Sequence, residues 1–247
     1  MYFTEEVTLS TLICDEDDKL TLWGLARLFQ DVACDHSDTL DVGFEGLKPQ
    51  GKAWILTHVY YNILRLPTAG EKLILKTWPK PDNGLIAPRD YQLIDAEGNI
   101  CATSASNWVI LDMNTRRVSR LRGIIEKFEK EEENATKYNK LEKIKMPTDL
   151  VDIKQIDVPY SSIDHTRHVN NAEYIKWICN AIPELCCSRV NSDNYRHEVQ
   201  ELEINYLKET KYGDQNVTLR EKRESDGELY FQILNSNGIS VNARINI

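Results

Sequence analysis

Long apolar runs are missing from this chain. Nothing in its 247 residues approaches the ~20 consecutive apolar residues of a membrane-spanning helix, so no membrane span is expected. The opening MYFTEEVTLS has neither the basic region nor the apolar stretch of a secretory signal. Cysteine is sparse and unpatterned. Cys14, Cys34, Cys101, Cys179, Cys186 and Cys187 form no C-x-x-C pair and are expected as reduced thiols in a cytoplasm. Positive charge is in deficit: 30 Lys and Arg against 39 Asp and Glu give a net charge of −9. That argues against a surface built as a whole for nucleic acid or anionic membrane, while leaving room for a local basic patch. Phosphate-binding glycine motifs are absent, so no nucleotide cofactor is expected. Cys34-Asp35-His36-Ser37-Asp38 looks ligand-rich, but on a helix only Cys34 and Asp38 share a face, too few ligands for a metal site.

What is present is an ordinary globular composition, 41% apolar and 28% charged, in a length that suits one large domain or two of ~120 residues. The chain repeats itself. Leu22, Leu25, Ala26, Phe29, Val32 and Ala33 have helical spacing, as do Tyr174, Trp177, Ile178, Ala181 and Ile182, with Pro183 marking the second helix's end. Each helix follows a strand-like segment. After it, YNILRLPTAGEKLILKTW (61–78) lines up with INYLKETKYGDQNVTLRE (204–221), and YQLIDAEGNICAT (91–103) with FQILNSNGISVNA (231–243). Gly70 meets Gly213 and Gly98 meets Gly238, in order and at nearly one offset, which is a duplication signal. Each half therefore reads as strand, helix and antiparallel strands, an α+β arrangement with a sheet curled around a long helix. The division expected is 1–123, a charged and partly helical linker over 124–148, and 149–247.

The two halves differ where chemistry could sit. Aligning Val169 with Leu20 sets Asp164 on Asp15, His168 on Lys19, Asn170 on Thr21 and Asn171 on Leu22, while Glu209 falls on Leu66. The imidazole, the paired amides and the Glu209 carboxylate belong to the second copy alone. A helix N-terminus presents unpaired N–H groups and a partial positive charge, which suits an oxyanion forming on a carbonyl. The N–H groups of Val169, Asn170 and Asn171 are the candidates. His168 could carry a proton, Asp164 could orient a neighbouring side chain, and Glu209 could activate water if its strand reaches the helix. Together these parts suit hydrolysis of an activated acyl group. The plainer alternatives are an N-cap for Asn170 or Asn171, a turn residue for Asp164 and a surface ion-pairing residue for Glu209.

The stretch D-H-T-R-H-V-N-N-A-E-Y-I-K-W (164–177), with EINYLKETKYGD (203–214), WILTHVYYNILRLPTAGEKLILKTWP (54–79) and NWVILDMNTRRVSRL (107–121), resembles the acyl-acyl carrier protein thioesterases. The resemblance covers nearly the whole chain. It implies a double hotdog fold, each half a long helix wrapped by a curved antiparallel sheet, and release of free fatty acid from acyl carrier protein. No cofactor and no metal are expected from the motifs present. Asp164 and His168 match the family's aspartate and histidine, and Glu209 matches its glutamate. Thr166 stands where the family has asparagine, and Thr210 where it has cysteine. A mechanism with a cysteine nucleophile is thereby excluded, since a neutral hydroxyl is far less nucleophilic than a thiolate. A carboxylate- and histidine-activated water remains, with Asp164, Thr166, His168 and Glu209 as the catalytic set.

The resemblance further implies that the first copy holds the acyl chain, with Leu25, Phe29 and Trp54 as candidate lining. An acidic carrier meeting an acidic enzyme requires a local basic patch. Arg116, Arg117, Arg120 and Arg122 form the densest one, unless they serve to pin the linker. Alternatives on the same site are a coenzyme A thioesterase, a hotdog dehydratase and a non-catalytic acyl-binding sensor. Exposed sheet edges are compatible with a homodimer.

Overall fold

The computed structural model describes residues 2–183 and 199–247, so Cys186 and Cys187 lie outside the described residues. The chain divides into two compact units: Met1–Leu9 with Arg27–Leu141, and Ser10–Ala26 with Glu142–Ile247. The segment Ser10–Ala26, which the sequence division keeps with the first copy, thus groups with the second unit.

In the first unit the strands are β1 (Phe3–Thr8), β2 (Lys52–Ile63), β3 (Lys72–Pro79), β4 (Ala87–Asp95), β5 (Ile100–Asp112) and β6 (Arg117–Ser119). They run antiparallel in the order β1-β3-β4-β5-β2, with β6 also on β5. Helix α1 (Leu22–Thr39) is followed by the short α2 (Phe44–Leu47). All six residues of the α1 stripe expected from spacing are buried, each contributing roughly 1.5–3 kcal/mol if large and fully removed from water. Phe29 reaches the sheet, its ring centroid 6.2 Å from that of Tyr61 and 5.2 Å from that of Tyr91.

The second unit holds β7 (Val151–Ile156), α3 (Asn171–Ala181), β8 (Glu201–Tyr206), β9 (Val217–Arg223), β10 (Glu228–Asn235) and β11 (Gly238–Asn246). Its strand order is β7-β9-β10-β11-β8, the same as β1-β3-β4-β5-β2. The duplication read from glycines and helices is therefore a duplication of topology. The aligned hairpin glycines Gly98 and Gly238 both have positive φ, 88° and 113°, which glycine adopts without a Cβ clash. Each unit is a hotdog, and the chain is the expected tandem of two.

The linker departs from expectation. Residues 124–148 contain one three-residue 3-10 turn, Ile125–Lys127, and are otherwise irregular. The physical reason lies in its partners. Trp78 Nε1 donates to the Glu133 carbonyl at 3.0 Å, and Ala135 N–H donates to Asp90 Oδ2 at 2.8 Å. The Tyr138 ring meets Tyr60 edge-on at 4.7 Å. The stretch from Glu133 to Tyr138 is held by side chains of the first unit rather than by its own helix and lies as a strap along that unit, whereas Ile144 N–H donates to Asn205 Oδ1 at 2.9 Å in the second unit. Asp90 under the strap is buried, and burial raises its carboxyl to about 6.

Candidate active site

The site is built on a short loop that occurs twice. In the second copy, Asp164 N–H donates to the His168 carbonyl at 2.9 Å, Arg167 N–H donates to the Asp164 carbonyl at 2.9 Å, and Arg167 adopts φ 67°. In the first copy, Asp15 N–H donates to the Lys19 carbonyl at 2.8 Å, Asp18 N–H donates to Asp15 O at 3.1 Å, and Asp18 adopts φ 58°. Both loops close with an isolated bridge, Ile163 to Val169 and Cys14 to Leu20. Both aspartates accept the N–H two residues on, from Thr166 at 2.8 Å and from Asp17 at 2.9 Å. Asp164 is therefore first a loop-forming residue, since Asp15 does the same work where no imidazole follows.

Helix α3 begins where the loop ends. Asn170 is its N-cap, accepting Ala172 N–H on Oδ1 at 3.0 Å, as Thr21 accepts Gly24 N–H at 3.0 Å in α1. Gly24 is forced by close approach: a Cβ there would sit 2.6 Å from the Ile13 carbonyl oxygen. Glu173, three residues past the cap, has capping-box spacing, but its Oε2 accepts the Ser162 hydroxyl at 2.9 Å.

The expected oxyanion donors separate at this point. Val169 N–H is donated to the Thr210 carbonyl at 2.9 Å and Asn170 N–H to the Ser162 carbonyl at 2.9 Å. These two were expected to face the substrate and do not, because neighbouring carbonyls already hold them. Asn171 N–H has no such partner among the described residues and is the donor left at the helix mouth.

Glu209 follows β8, and its strand does reach the helix. Its Oε2 lies 2.9 Å from His168 Nε2, with the side chains 28% and 15% exposed, so the pair is open to a ligand yet partly shielded from water. On the other side of the imidazole, Thr166 Oγ1 is 3.5 Å from His168 Nδ1 and donates to Asp164 Oδ1 at 2.5 Å. Asn170 Nδ2 approaches Asp164 Oδ2 at 3.4 Å. The row Asp164–Thr166–His168–Glu209 is thus continuous. Because the Thr166 hydroxyl proton is spent on Asp164, its oxygen is free to accept only from a protonated Nδ1.

Thr210 holds Glu209 in place. It is fully buried, its Oγ1 donates to Ser240 Oγ at 3.0 Å, and it receives Asn235 Nδ2 at 3.4 Å. Its N–H donates to the Tyr174 hydroxyl at 3.2 Å. Burial pushes the Tyr174 phenol up to about 12, which keeps it neutral. Tyr174, read from spacing as one apolar position of a helix stripe, is in fact a polar anchor of the strand end carrying Glu209. Ser162, Asn235 and Ser240 are further supports without a local sequence signal.

The arginine cluster lies in the first unit. Arg116 occupies a tight turn at φ 58°, Arg117 opens β6, and all four side chains are exposed. Arg117, Arg120 and Arg122 make no side-chain hydrogen bond or ion pair among the described residues, so they do not pin the linker. Of the candidate chain-lining residues, Leu25 and Phe29 are buried and Trp54 donates its Nε1–H to the Val42 carbonyl at 2.8 Å. His36 is packed between Phe3 and Phe128 and contacts Arg89 at 3.0 Å. Among the described residues no group of three or more His, Cys, Asp or Glu is placed to hold a metal, and no helix is long and apolar enough to cross a membrane.

A histidine–carboxylate pair thus stands at a helix mouth within a tandem hotdog, and comparison with known proteins gives the family. The acyl-ACP thioesterase N-terminal domain matches residues 1–127 and the C-terminal domain of the same enzymes matches residues 145–247. The chain belongs to the acyl-ACP thioesterase family. The chloroplastic oleoyl-acyl carrier protein thioesterase 2 of Arabidopsis thaliana is 22% identical over 242 residues, covering 91% of this chain and 64% of the relative. The chloroplastic palmitoyl-acyl carrier protein thioesterase of Gossypium hirsutum is 25% identical over 197 residues, covering 74% and 48%. The chain thus spans less than two thirds of the length of these relatives. Among solved structures, an acyl-ACP thioesterase of Bacteroides thetaiotaomicron superposes with a TM-score of 0.86 at 20% identity, over 99% of this chain and 97% of that one. A 12:0-ACP thioesterase of Umbellularia californica superposes with a TM-score of 0.79 at 17% identity, over 99% and 96%.

Proposed function

We propose that the protein hydrolyses the thioester linking a fatty acyl group to acyl carrier protein, releasing free fatty acid and the carrier's thiol. The observation that carries this reading is the 2.9 Å contact between His168 Nε2 and Glu209 Oε2 beside the N-terminus of α3. Glu209 takes a proton from a water molecule while the water oxygen bonds to the thioester carbon. The carbonyl becomes an oxyanion that accepts Asn171 N–H. Collapse breaks the C–S bond, the electron pair leaves with sulfur, and the proton held by Glu209 is available to the thiolate. His168 orients the carboxylate, and Thr166 with Asp164 holds the imidazole. Thr210 takes no covalent part, because its buried hydroxyl is committed to Ser240.

The exposed Arg117, Arg120 and Arg122, with Arg116 beside them, are the surface proposed to meet the acidic carrier. The lack of side-chain hydrogen bonds and ion pairs at Arg117, Arg120 and Arg122 among the described residues supports that reading. The first unit is proposed to hold the acyl chain. A cytoplasmic setting suits the free thiols of Cys14, Cys34, Cys101 and Cys179.

The test is thiol release from acyl-carrier and acyl-coenzyme A thioesters of varied chain length, with Glu209→Ala as control. Release that prefers the carrier and vanishes in the variant supports the proposal; no release from any donor overturns it. Charge reversal at Arg120 and Arg122 should raise KM for the carrier-bound substrate and spare a small thioester.

A further inference from the structure

One face of the first unit's sheet carries hydroxyl groups where the second unit carries hydrocarbon. Ser104 on β5 lies directly opposite Tyr61 on β2 and Tyr91 on β4, so the three side chains stand in a row on the same face. Phe29 of α1 lies against both tyrosine rings, which puts that row beneath the helix. In the second unit the strand register sets Ala243 opposite Ile204 and Phe231. Those three residues are fully buried. A hotdog of this chain therefore packs its core with apolar side chains at all three positions, and the hydroxyls of the first unit are not a requirement of the fold.

Two of these hydroxyls lack a partner among the described residues. Ser104 is 0% exposed, and its Oγ has no hydrogen-bond partner. The Tyr61 side chain is buried and makes no hydrogen bond either. Burial first, then the Tyr91 phenol, raises the Tyr61 phenol well above its usual value, so it stays a neutral donor. The neighbouring position shows a satisfied hydroxyl on this face. Ser106 Oγ donates to the Arg89 carbonyl at 3.2 Å and receives Trp108 Nε1–H at 2.8 Å, and the Tyr91 hydroxyl sits 3.1 Å from it. Arg89, the cation two residues from Tyr91, turns to His36 and Thr77 at 3.0 and 3.1 Å. A buried hydroxyl left unpaired costs about 1–3 kcal/mol. Alanine and phenylalanine would remove that cost at the two positions.

Taken with the reading that the first unit holds the acyl chain, on which this inference rests, we propose that Ser104 and Tyr61 form a subsite for an uncharged oxygen on that chain, a hydroxyl or ketone group carried away from the thioester carbon. Each of the two hydroxyls both donates and accepts, which matches an alcohol or a carbonyl. The rings of Phe29, Tyr61 and Tyr91 offer apolar surface to the methylene groups on either side. An oxygenated chain satisfies the two hydroxyls, and a plain chain leaves them unpaired. Discrimination between the two chains is then built on hydrogen bonds rather than on length.

The test reads binding without turnover. Free fatty acids of graded length, each plain, hydroxylated or oxo-substituted at successive carbons, are titrated onto the full chain by calorimetry. Wild type is compared with Ser104→Ala, which copies Ala243, with Tyr61→Phe, and with the double variant. The expected result is that one oxygenated series binds the wild type about tenfold more tightly than the plain acid of equal length, roughly 1.4 kcal/mol. The double variant should lose that preference and hold plain acids at least as well, with a melting temperature no lower than that of the wild type. Equal binding of plain and oxygenated chains by the wild type overturns the proposal, as does a preference that survives the double variant. A double variant that melts lower and binds every chain less well makes the hydroxyls structural and overturns it too. If no acid of any kind binds, the subsite is refuted, whereas the hydrolase reading stands or falls separately on thiol release.

Discussion

Thr210 Oγ1 donates to Ser240 Oγ across 3.0 Å within the second unit, and both residues are fully buried. A side chain placed where the family carries a thiol is thereby a structural hydroxyl. Thr210→Val keeps the shape and removes the donor. It should lower stability by about 1–3 kcal/mol, since Ser240 and Asn235 lose a buried partner, and lower the melting temperature by several degrees. Its kcat should fall far less than that of Glu209→Gln. A Thr210→Val enzyme as inactive as Glu209→Gln would restore Thr210 to the chemistry.

Glu209→Gln retains the size of the side chain and removes the proposed base. We expect kcat to fall on the order of 10²–10⁴ with little change in melting temperature. His168→Asn should fall in the same range. The double variant should lose no more than the worse single one, because the two residues act as a unit joined at 2.9 Å. Additive losses in a kinetic cycle would separate their roles.

Tyr174→Phe keeps the ring against Trp177 and Tyr206 but removes the acceptor of Thr210 N–H. An unpaired buried N–H costs about 1–3 kcal/mol, and the strand end bearing Glu209 loses its tie to α3. The expected signature is a lower kcat at unchanged KM. A variant that loses stability alone, with kcat intact, would make Tyr174 a packing residue.

His36 gives a prediction in pH. Burial first, then the neighbouring Arg89, lowers its imidazole from 6.5 to about 4. The folded protein thus binds this proton less tightly than the unfolded chain. The stability that neutral His36 contributes is complete above pH ~6.5 and is lost as pH falls toward ~4, by at most about 3 kcal/mol. His36→Gln can still accept from Arg89 without titrating. The difference in unfolding free energy between wild type and variant should therefore shift toward the variant as pH drops through that window. A pH-independent difference would show that His36 is protonated alike in both states.

Much of this architecture was legible in the sequence because it is carried by local signals. The stripes of α1 and α3 follow helical spacing, and Gly98 and Gly238 mark equivalent hairpins by their need for positive φ. The internal alignment placed Asp164 on Asp15 and Asn170 on Thr21, and the loops and caps coincide residue for residue. What sequence could not convey was which groups tertiary partners had already claimed. Val169 and Asn170 looked like free helix-mouth donors, but Thr210 and Ser162 hold their N–H groups. The linker looked helix-permissive, yet Asp90 and Trp78 bind its backbone. Tyr174 looked apolar because spacing records which face a residue occupies and not what its hydroxyl meets.

The twin loops at Asp15 and Asp164 separate the frame from the chemistry it displays. With Lys19 where the second copy has His168, and Leu66 where it has Glu209, the first loop is a blank cut from the same die. A mechanism-based inhibitor should accordingly saturate the protein at one equivalent per chain, though the frame is present twice. The imidazole and carboxylate are then interchangeable inserts, and a chain of this kind could gain, lose or move a reactive centre without having to invent its fold again.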